Sequence, residues 1–98
     1  IDVDATQTRH LCALARDAVE YAVHRRHATN IRIAVKVSNQ ELALDISDDA
    51  AEGPSFADSG AIMALINRRA AEMGGSVTLE PSLLGGQTLS CAMSLSSS

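Results

Sequence analysis

The clearest candidate for a functional residue is Asp48, which ends an apolar strand pattern and begins a polar, acidic loop. A carboxylate in that position accepts hydrogen bonds from N–H donors, and a bond to a charged group contributes roughly 1.5–3 kcal/mol. A second candidate is the basic segment 24–27, which reads His-Arg-Arg-His at the end of a helical pattern. Such a cluster either meets phosphate or lies in solvent, where cations suit the negative end of a helix dipole. We favour the solvated alternative.

Composition narrows the classes of function. The 98 residues predict one domain, residues 1–98, and the absence of an initial Met suggests a fragment of a longer protein. A net charge of −4 argues against nucleic acid or a membrane as partner. No segment approaches the ~20 apolar residues of a membrane span. Cys12 and Cys91 share no metal spacing and are predicted to be reduced core thiols. Neither a Ser-His-Asp set nor a metal-ligand cluster stands out.

Hydrophobic periodicity predicts the elements that position these residues. Apolar residues recur at three- and four-residue steps in helices and at every second residue in strands. The predicted elements are a helix over 5–26, strands over 31–37 and 41–47, a loop over 48–59, a helix over 60–73, and strands over 76–80 and 87–95. Asp4 and Gln7 form a predicted capping box at the first helix. The first strand alternates, and its predicted buried face is Ile31, Ile33, Val35 and Val37.

This order of elements predicts an α/β two-layer sandwich. A tight turn at Ser38-Asn39-Gln40 makes the first two strands an antiparallel hairpin. Both helices must bury their apolar stripes against the same face of the sheet. The sheet is therefore predicted to be mixed but mainly antiparallel, with the helices on one face. The pattern of elements does not by itself name a function.

Three segments resemble one protein family. Arg68–Glu80 is similar to a helix and following strand, Leu84–Leu89 to a glycine turn, and Arg16–Val23 to a helix that carries the family's N-box. The family is the ATP-binding domain of bacterial sensor histidine kinases, of the GHKL or Bergerat superfamily. The resemblance covers essentially the whole chain and is carried by these three segments. The subclass that it resembles is that of nitrate-sensor and dormancy-sensor kinases.

The resemblance implies ATP and Mg²⁺ as cofactors, with departures in the N-box. Asp17 stands where the family has a catalytic Glu, and Tyr21 stands where it has the Asn that ligates Mg²⁺. Mg²⁺ prefers oxygen ligands in octahedral geometry, for which a phenol is a poor substitute. Tyr21 is either a partly buried residue with its hydroxyl at the surface or a ring that stacks on or blocks the nucleotide. His24 and Arg25 stand, in reversed order, where the family has a His/Arg pair, and the resemblance implies that Arg25 binds the nucleotide.

The resemblance also implies a nucleotide-binding set at the loops. Asp48 stands where the family's Asp binds the adenine amino group, but Ala50 and Glu52 replace two loop glycines. Gly60 lies about two residues before the glycine that opens the family's second helix. The remaining predicted residues belong to the last glycine turn. They are Gly86, Gln87 and Thr88.

The function that the resemblance implies is presentation of ATP to a phospho-accepting His on a separate domain, in a two-component signalling system. Its partners would be the dimerisation and phosphoacceptor domain of the same kinase and a response regulator, in the cytoplasm. The alternative is a catalytically inactive domain of the same fold that serves protein interaction or regulation. An anti-sigma-factor kinase is a third possibility. The replaced Asn and glycines favour the inactive alternative as a mechanism.

Overall fold

The computed structural model describes residues 5–52 and 54–94 and confirms the two-layer sandwich. The elements are α1 (Ala5–His24), β1 (Ile31–Ser38), β2 (Glu41–Asp48), a 3-10 turn (Phe56–Asp58), α2 (Gly60–Glu72), β3 (Gly75–Pro81) and β4 (Gln87–Ser94). The strand order is β1-β2-β4-β3, and every neighbouring pair is antiparallel. The predicted capping box begins at Asp4, outside the described residues.

The core lies between the helices and one face of the sheet. Every second residue of β2 and β4 faces it, because successive side chains of a strand point to opposite faces. Helix α1 contributes Leu14, Ala18 and Ala22, and α2 contributes Ile66 and Ala70, all at most 1% exposed. The strand residues of the core are Leu42, Leu44, Ile46, Leu89, Cys91 and Met93. This aliphatic core agrees with a chain that contains only two aromatic residues.

The predicted buried face of β1 is wrong for most of its length. Ile33, Val35 and Val37 are 53%, 55% and 52% exposed. Strand β1 is an edge of the sheet, and the helices pack mainly over the strands farther from this edge. Alternation therefore identified the strand correctly but not its burial. The core-thiol prediction is likewise wrong for Cys12, which is exposed, while burial raises the pKa of the Cys91 thiol.

Two turns with positive φ follow β1 and α1. Asn39 and Gln40 both have positive φ, 50° and 63°, as a two-residue type I′ hairpin requires. Helix α1 ends at His24, because His27 adopts a φ of 61° and the Ala28 N–H donates back to Ala22 O at 2.9 Å. Arg26 therefore lies in a turn beyond the helix. In the part of the chain that the structure describes, neither helix has the length and apolar character that crossing a bilayer requires.

Truncating a core residue of α2 tests this packing. Ile66 is 0% exposed, so Ile66→Ala should lower the free energy of unfolding by about 2–5 kcal/mol. Leu83 is the matched control, since its side chain is 103% exposed and Leu83→Ala should change stability by less than about 0.5 kcal/mol. Urea denaturation of both variants measures the difference. Equal losses would contradict the placement of α2 over the sheet.

Candidate functional site

The centre of the candidate site is a buried ion pair between Arg26 and Asp48. The Arg26 Nε and Nη2 atoms donate to Asp48 Oδ2 and Oδ1, each at 3.0 Å. Both residues are almost fully buried, with exposures of 3% and 1%. Two parallel N–H···O bonds make this a bidentate pair, the strong geometry for arginine and a carboxylate. The turn after α1 and the end of β2 bring the two residues together.

Two backbone N–H groups also donate hydrogen bonds to the Asp48 carboxylate. Its Oδ1 also accepts from the Ala50 N–H and the Gln87 N–H, both at 3.1 Å. With the two Arg26 bonds, the carboxylate accepts four hydrogen bonds, three at Oδ1 and one at Oδ2. Gly86 lies against the same group, and its N–H donates to Asp48 O at 3.2 Å. The predicted adenine-binding residue is therefore bonded entirely within the protein.

Arg26 also holds the loop that follows β2. Its Nη1 donates to Pro54 O at 2.8 Å, and its Nη2 donates to Ala50 O at 3.0 Å. The ring of Phe56 lies 5.4 Å from the guanidinium carbon, within the range of a cation–π contact. The prediction that segment 24–27 is a solvated helix end is thus wrong for Arg26. His24, Arg25 and His27 are exposed.

Tyr21 packs beneath the same loop. Its ring is only 8% exposed and its centroid lies 4.9 Å from that of Phe56. Its hydroxyl donates to Ser55 O at 3.0 Å, so it ties α1 to the loop and is not at the surface as one alternative predicted. Gln87 contacts the same segment, since its Oε1 accepts from the Phe56 N–H at 3.0 Å. Tyr21, Gln87, Gly86 and Asp48 are therefore part of one bonded cluster.

The other predicted site residues lie elsewhere. Asp17 forms an ion pair with Arg69 of α2 at 2.7 Å. Thr88 faces the opposite side of the sheet, where its hydroxyl lies 2.8 Å from that of Ser47. Arg25 borders a shallow groove between α1 and α2, whose apolar floor includes Ile62 and Leu65. Gly60 begins α2 beside it, after an N-cap at Ser59 whose hydroxyl accepts from the Ile62 N–H at 3.3 Å.

These residues do not fit ATP and Mg²⁺ as the resemblance implied. Asp48 is 1% exposed, its Oδ1 already accepts three hydrogen bonds, and the guanidinium of Arg26 lies against both carboxylate oxygens, where an adenine amino group would have to bind. The Tyr21 hydroxyl is committed to Ser55 O. Among the residues that the structure describes, no three His, Cys, Asp or Glu side chains are placed to hold a metal ion. At Asp48 and Tyr21, contacts within the chain use the side-chain groups that the resemblance assigned to the nucleotide and the metal.

Sequence reasoning missed two residues of the cluster. Phe56 had a usable signal, because a large aromatic residue in a polar loop of an otherwise aliphatic chain usually has a buried partner. Arg26 had none, because nothing in the local sequence distinguishes it from Arg25. The two residues differ only in their tertiary surroundings, since Arg26 bonds to Asp48 whereas Arg25 is exposed.

The comparisons with known proteins agree with this fold. The chain is similar to the crystal structure of the ATP binding domain of PrrB from Mycobacterium tuberculosis. The TM-score is 0.79 at 25% identity, covering 91% of this chain and 69% of that one. It is also similar to the blue-light activated histidine kinase of Erythrobacter litoralis, with a TM-score of 0.78 at 13% identity, covering 97% of this chain and 32% of that one.

A third solved structure is the histidine kinase AdeS of Acinetobacter baumannii. The TM-score is 0.71 at 17% identity, covering 91% of this chain and 47% of that one. No protein-family model matches the sequence, and no curated protein matches it either. The likeness therefore rests on structure, and it shows that this chain has the fold of histidine kinase ATP-binding domains.

A single added methyl group tests the close packing at Asp48. A Cβ on Gly86 would clash with the Asp48 carboxylate and lie 2.6 Å from Ala50 N. We expect Gly86→Ala to lower the free energy of unfolding by about 1–3 kcal/mol through overpacking. Gly60→Ala is the control, since nothing lies within 4 Å of a Cβ there. Thermal denaturation compares the two, and a Gly86→Ala protein as stable as Gly60→Ala would contradict the arrangement.

Asp49 provides a pH-dependent contact beside the ion pair. Its carboxylate accepts from the Thr29 hydroxyl at 2.6 Å, the Thr29 N–H at 2.9 Å and Asn30 Nδ2 at 2.9 Å. These bonds, led by the Thr29 hydroxyl, hold the pKa of Asp49 well below its usual range.

The pKa of Asp49 can be followed by NMR as the pH falls. A lowered folded-state pKa means that Asp49 contributes stability above its ordinary pKa of about 4 and loses that contribution at lower pH. We therefore expect its carboxyl carbon to titrate at a pH below the ordinary aspartate pKa of about 4. In Asp49→Asn, this part of the acid dependence of stability should disappear. Titration of Asp49 at its ordinary pKa would show that the bonds to Thr29 and Asn30 do not form.

Proposed function

We propose that this chain is a domain of the histidine kinase ATP-binding fold that works without bound ATP. It serves a signalling protein by contact with other protein domains instead of by phosphoryl transfer. The observation that supports this most directly is the buried pair of Arg26 and Asp48, whose carboxylate already accepts four hydrogen bonds within the chain.

The energetics favour the internal pair over adenine. An adenine amino group offers Asp48 a neutral N–H donor, and a hydrogen bond to a charged group contributes roughly 1.5–3 kcal/mol. Displacing Arg26 would leave the buried Asp48 charge without its partner, which costs about 3–5 kcal/mol. It would also break the Arg26 bonds to Pro54 O and Ala50 O. Displacement of Arg26 by adenine is therefore unfavourable.

The residues at the positions that would contact Mg²⁺ and the phosphates of ATP support the same proposal. Phosphoryl transfer from ATP depends on positioning and on Mg²⁺ bridging the phosphates. The residue in place of the Mg²⁺-binding Asn is Tyr21, and the residue in place of the catalytic Glu is Asp17, which pairs with Arg69. Glu52 adds negative charge to a loop that would need to accommodate phosphates. This chain therefore lacks the groups that the reaction requires at these positions.

A second candidate function is presentation of ATP to a phospho-accepting His on a separate domain. The similarity to the ATP binding domain of PrrB favours it. In both candidates, the proposed partners are the dimerisation and phosphoacceptor domain of the same protein and a response regulator. Both candidates also place the domain in the cytoplasm. They differ in whether ATP and Mg²⁺ are required.

Nucleotide titration followed by amide NMR separates the two candidates. The Ala50 and Gln87 N–H groups donate to Asp48, so their resonances report any change at the carboxylate. We expect no saturable shift of either resonance with millimolar ATP, ADP or AMP, with or without Mg²⁺. The ATP binding domain of PrrB, titrated in parallel, is the positive control. Saturable, Mg²⁺-dependent shifts in this chain would reject the proposal and favour the second candidate.

A further inference from the structure

The surroundings of Arg26 are shaped for a planar cation. Its guanidinium faces four oxygen acceptors, which are the two carboxylate oxygens of Asp48, Ala50 O and Pro54 O. These bonds use four of the five N–H groups that arginine carries. Phe56 lies against the guanidinium at 5.4 Å. The site therefore offers acceptors and an aromatic ring to a flat donor with several N–H groups.

We propose that Arg26 is the built-in ligand of this site, and that its side chain alone keeps a guanidinium-binding pocket closed. The proposal rests on the proposed function, in which no nucleotide occupies the wild-type domain. Shortening the side chain at position 26 would leave the Asp48 carboxylate held by the Ala50 and Gln87 N–H groups. A small guanidinium or amidinium compound would bind it and take over the bonds of Arg26 to Ala50 O and Pro54 O.

The charge and hydrogen-bond pattern select this ligand class over a purine. The carboxylate of Asp48 is 1% exposed, and a buried anion requires a cation to offset its lost hydration. A guanidinium provides that charge and presents only donors. Adenine is neutral, and its ring nitrogens are acceptors that would face the oxygens around the Arg26 head group. The pocket should therefore bind a guanidinium compound and discriminate against adenine.

A path for a small molecule exists beside Arg26. The residue borders a shallow depression on the surface whose other described lining residues include His27, Asp49 and Glu52. Two of these three side chains are acidic, which favours the approach of a cation. A compound of the size of methylguanidinium would thus need only to cross the loop that Arg26 itself holds at Ala50 and Pro54.

The test is rescue of Arg26→Ala by methylguanidinium. We expect this variant to have a lower melting temperature than the wild type, and millimolar methylguanidinium to raise it in a saturable manner. A ligand that binds only the folded state stabilises it by mass action. Arg25→Ala is the matched control, since Arg25 is the exposed neighbour on the same helix end. Neither this control nor the wild type should respond.

Two further ligands distinguish a shaped site from a simple need for charge. Methylammonium carries the same charge without the planar fork, and adenine carries the plane without the charge. Rescue by methylguanidinium alone supports the proposal. Equal rescue by methylammonium would overturn the shaped site, and rescue by adenine would overturn the ligand class. ATP binding to the wild type would reject the proposed function without deciding this result.

A variant that fails to fold still gives an answer. If Arg26→Ala is unfolded alone, we expect refolding with methylguanidinium to recover its helical circular dichroism. Arg26→Lys, which keeps the charge but makes fewer bonds to Asp48, should fold with reduced stability and show no response. Failure of methylguanidinium to recover or stabilise Arg26→Ala, while Arg26→Lys folds, would overturn the proposal.

Discussion

The structure depends on one buried ion pair, that of Arg26 and Asp48. Removing each charge from water costs several kcal/mol, and only complete hydrogen bonding offsets that cost. The two residues meet this condition, with bonds to Ala50, Pro54 and Gln87 as well as to each other. The end of α1, the end of β2, the start of β4 and the intervening loop are therefore joined at one point. If any of these bonds were missing, the buried charges would lower the stability of this small domain.

The rest of the fold places this pair by ordinary means. The alternation of β2 directs Leu42, Leu44 and Ile46 into the core, and the same alternation buries Asp48 two residues later. Helix α1 ends at His24, and Arg26 in the turn that follows bonds to that carboxylate. Gly86 lets the last turn approach closely enough for its neighbour's N–H to reach Asp48, because any Cβ there would clash. Local rules of strand, turn and glycine thus produce a contact that no local rule describes.

Much of this was predictable from sequence, and the failures have physical causes. The helices and strands followed from periodicity, since burial of one face imposes it on the chain. The exposure of Ile33, Val35 and Val37 could not be predicted in this way, because alternation does not indicate whether a strand lies at the edge of a sheet. The burial of Arg26 could not be predicted either, since its partner is distant in sequence. Asp48 was predicted from the sequence as an adenine-binding residue, and the structure shows its carboxylate at the centre of the bonded cluster, with a partner, Arg26, that was not predicted.

The fold resembles that of ATP-binding domains, whereas the site favours a domain that works without ATP. The side chain responsible for this difference is Arg26. A carboxylate at the end of a central strand, with backbone N–H donors on two sides, is a strong acceptor for whatever planar donor reaches it. A bound ligand could provide that donor. In this chain the guanidinium of Arg26 provides it, and Arg26 also bonds to the adjacent loop. Similarity of backbone to histidine kinase ATP-binding domains describes the scaffold that presents Asp48. Which donor satisfies it is decided by the residue at position 26, and backbone similarity contains no record of that residue.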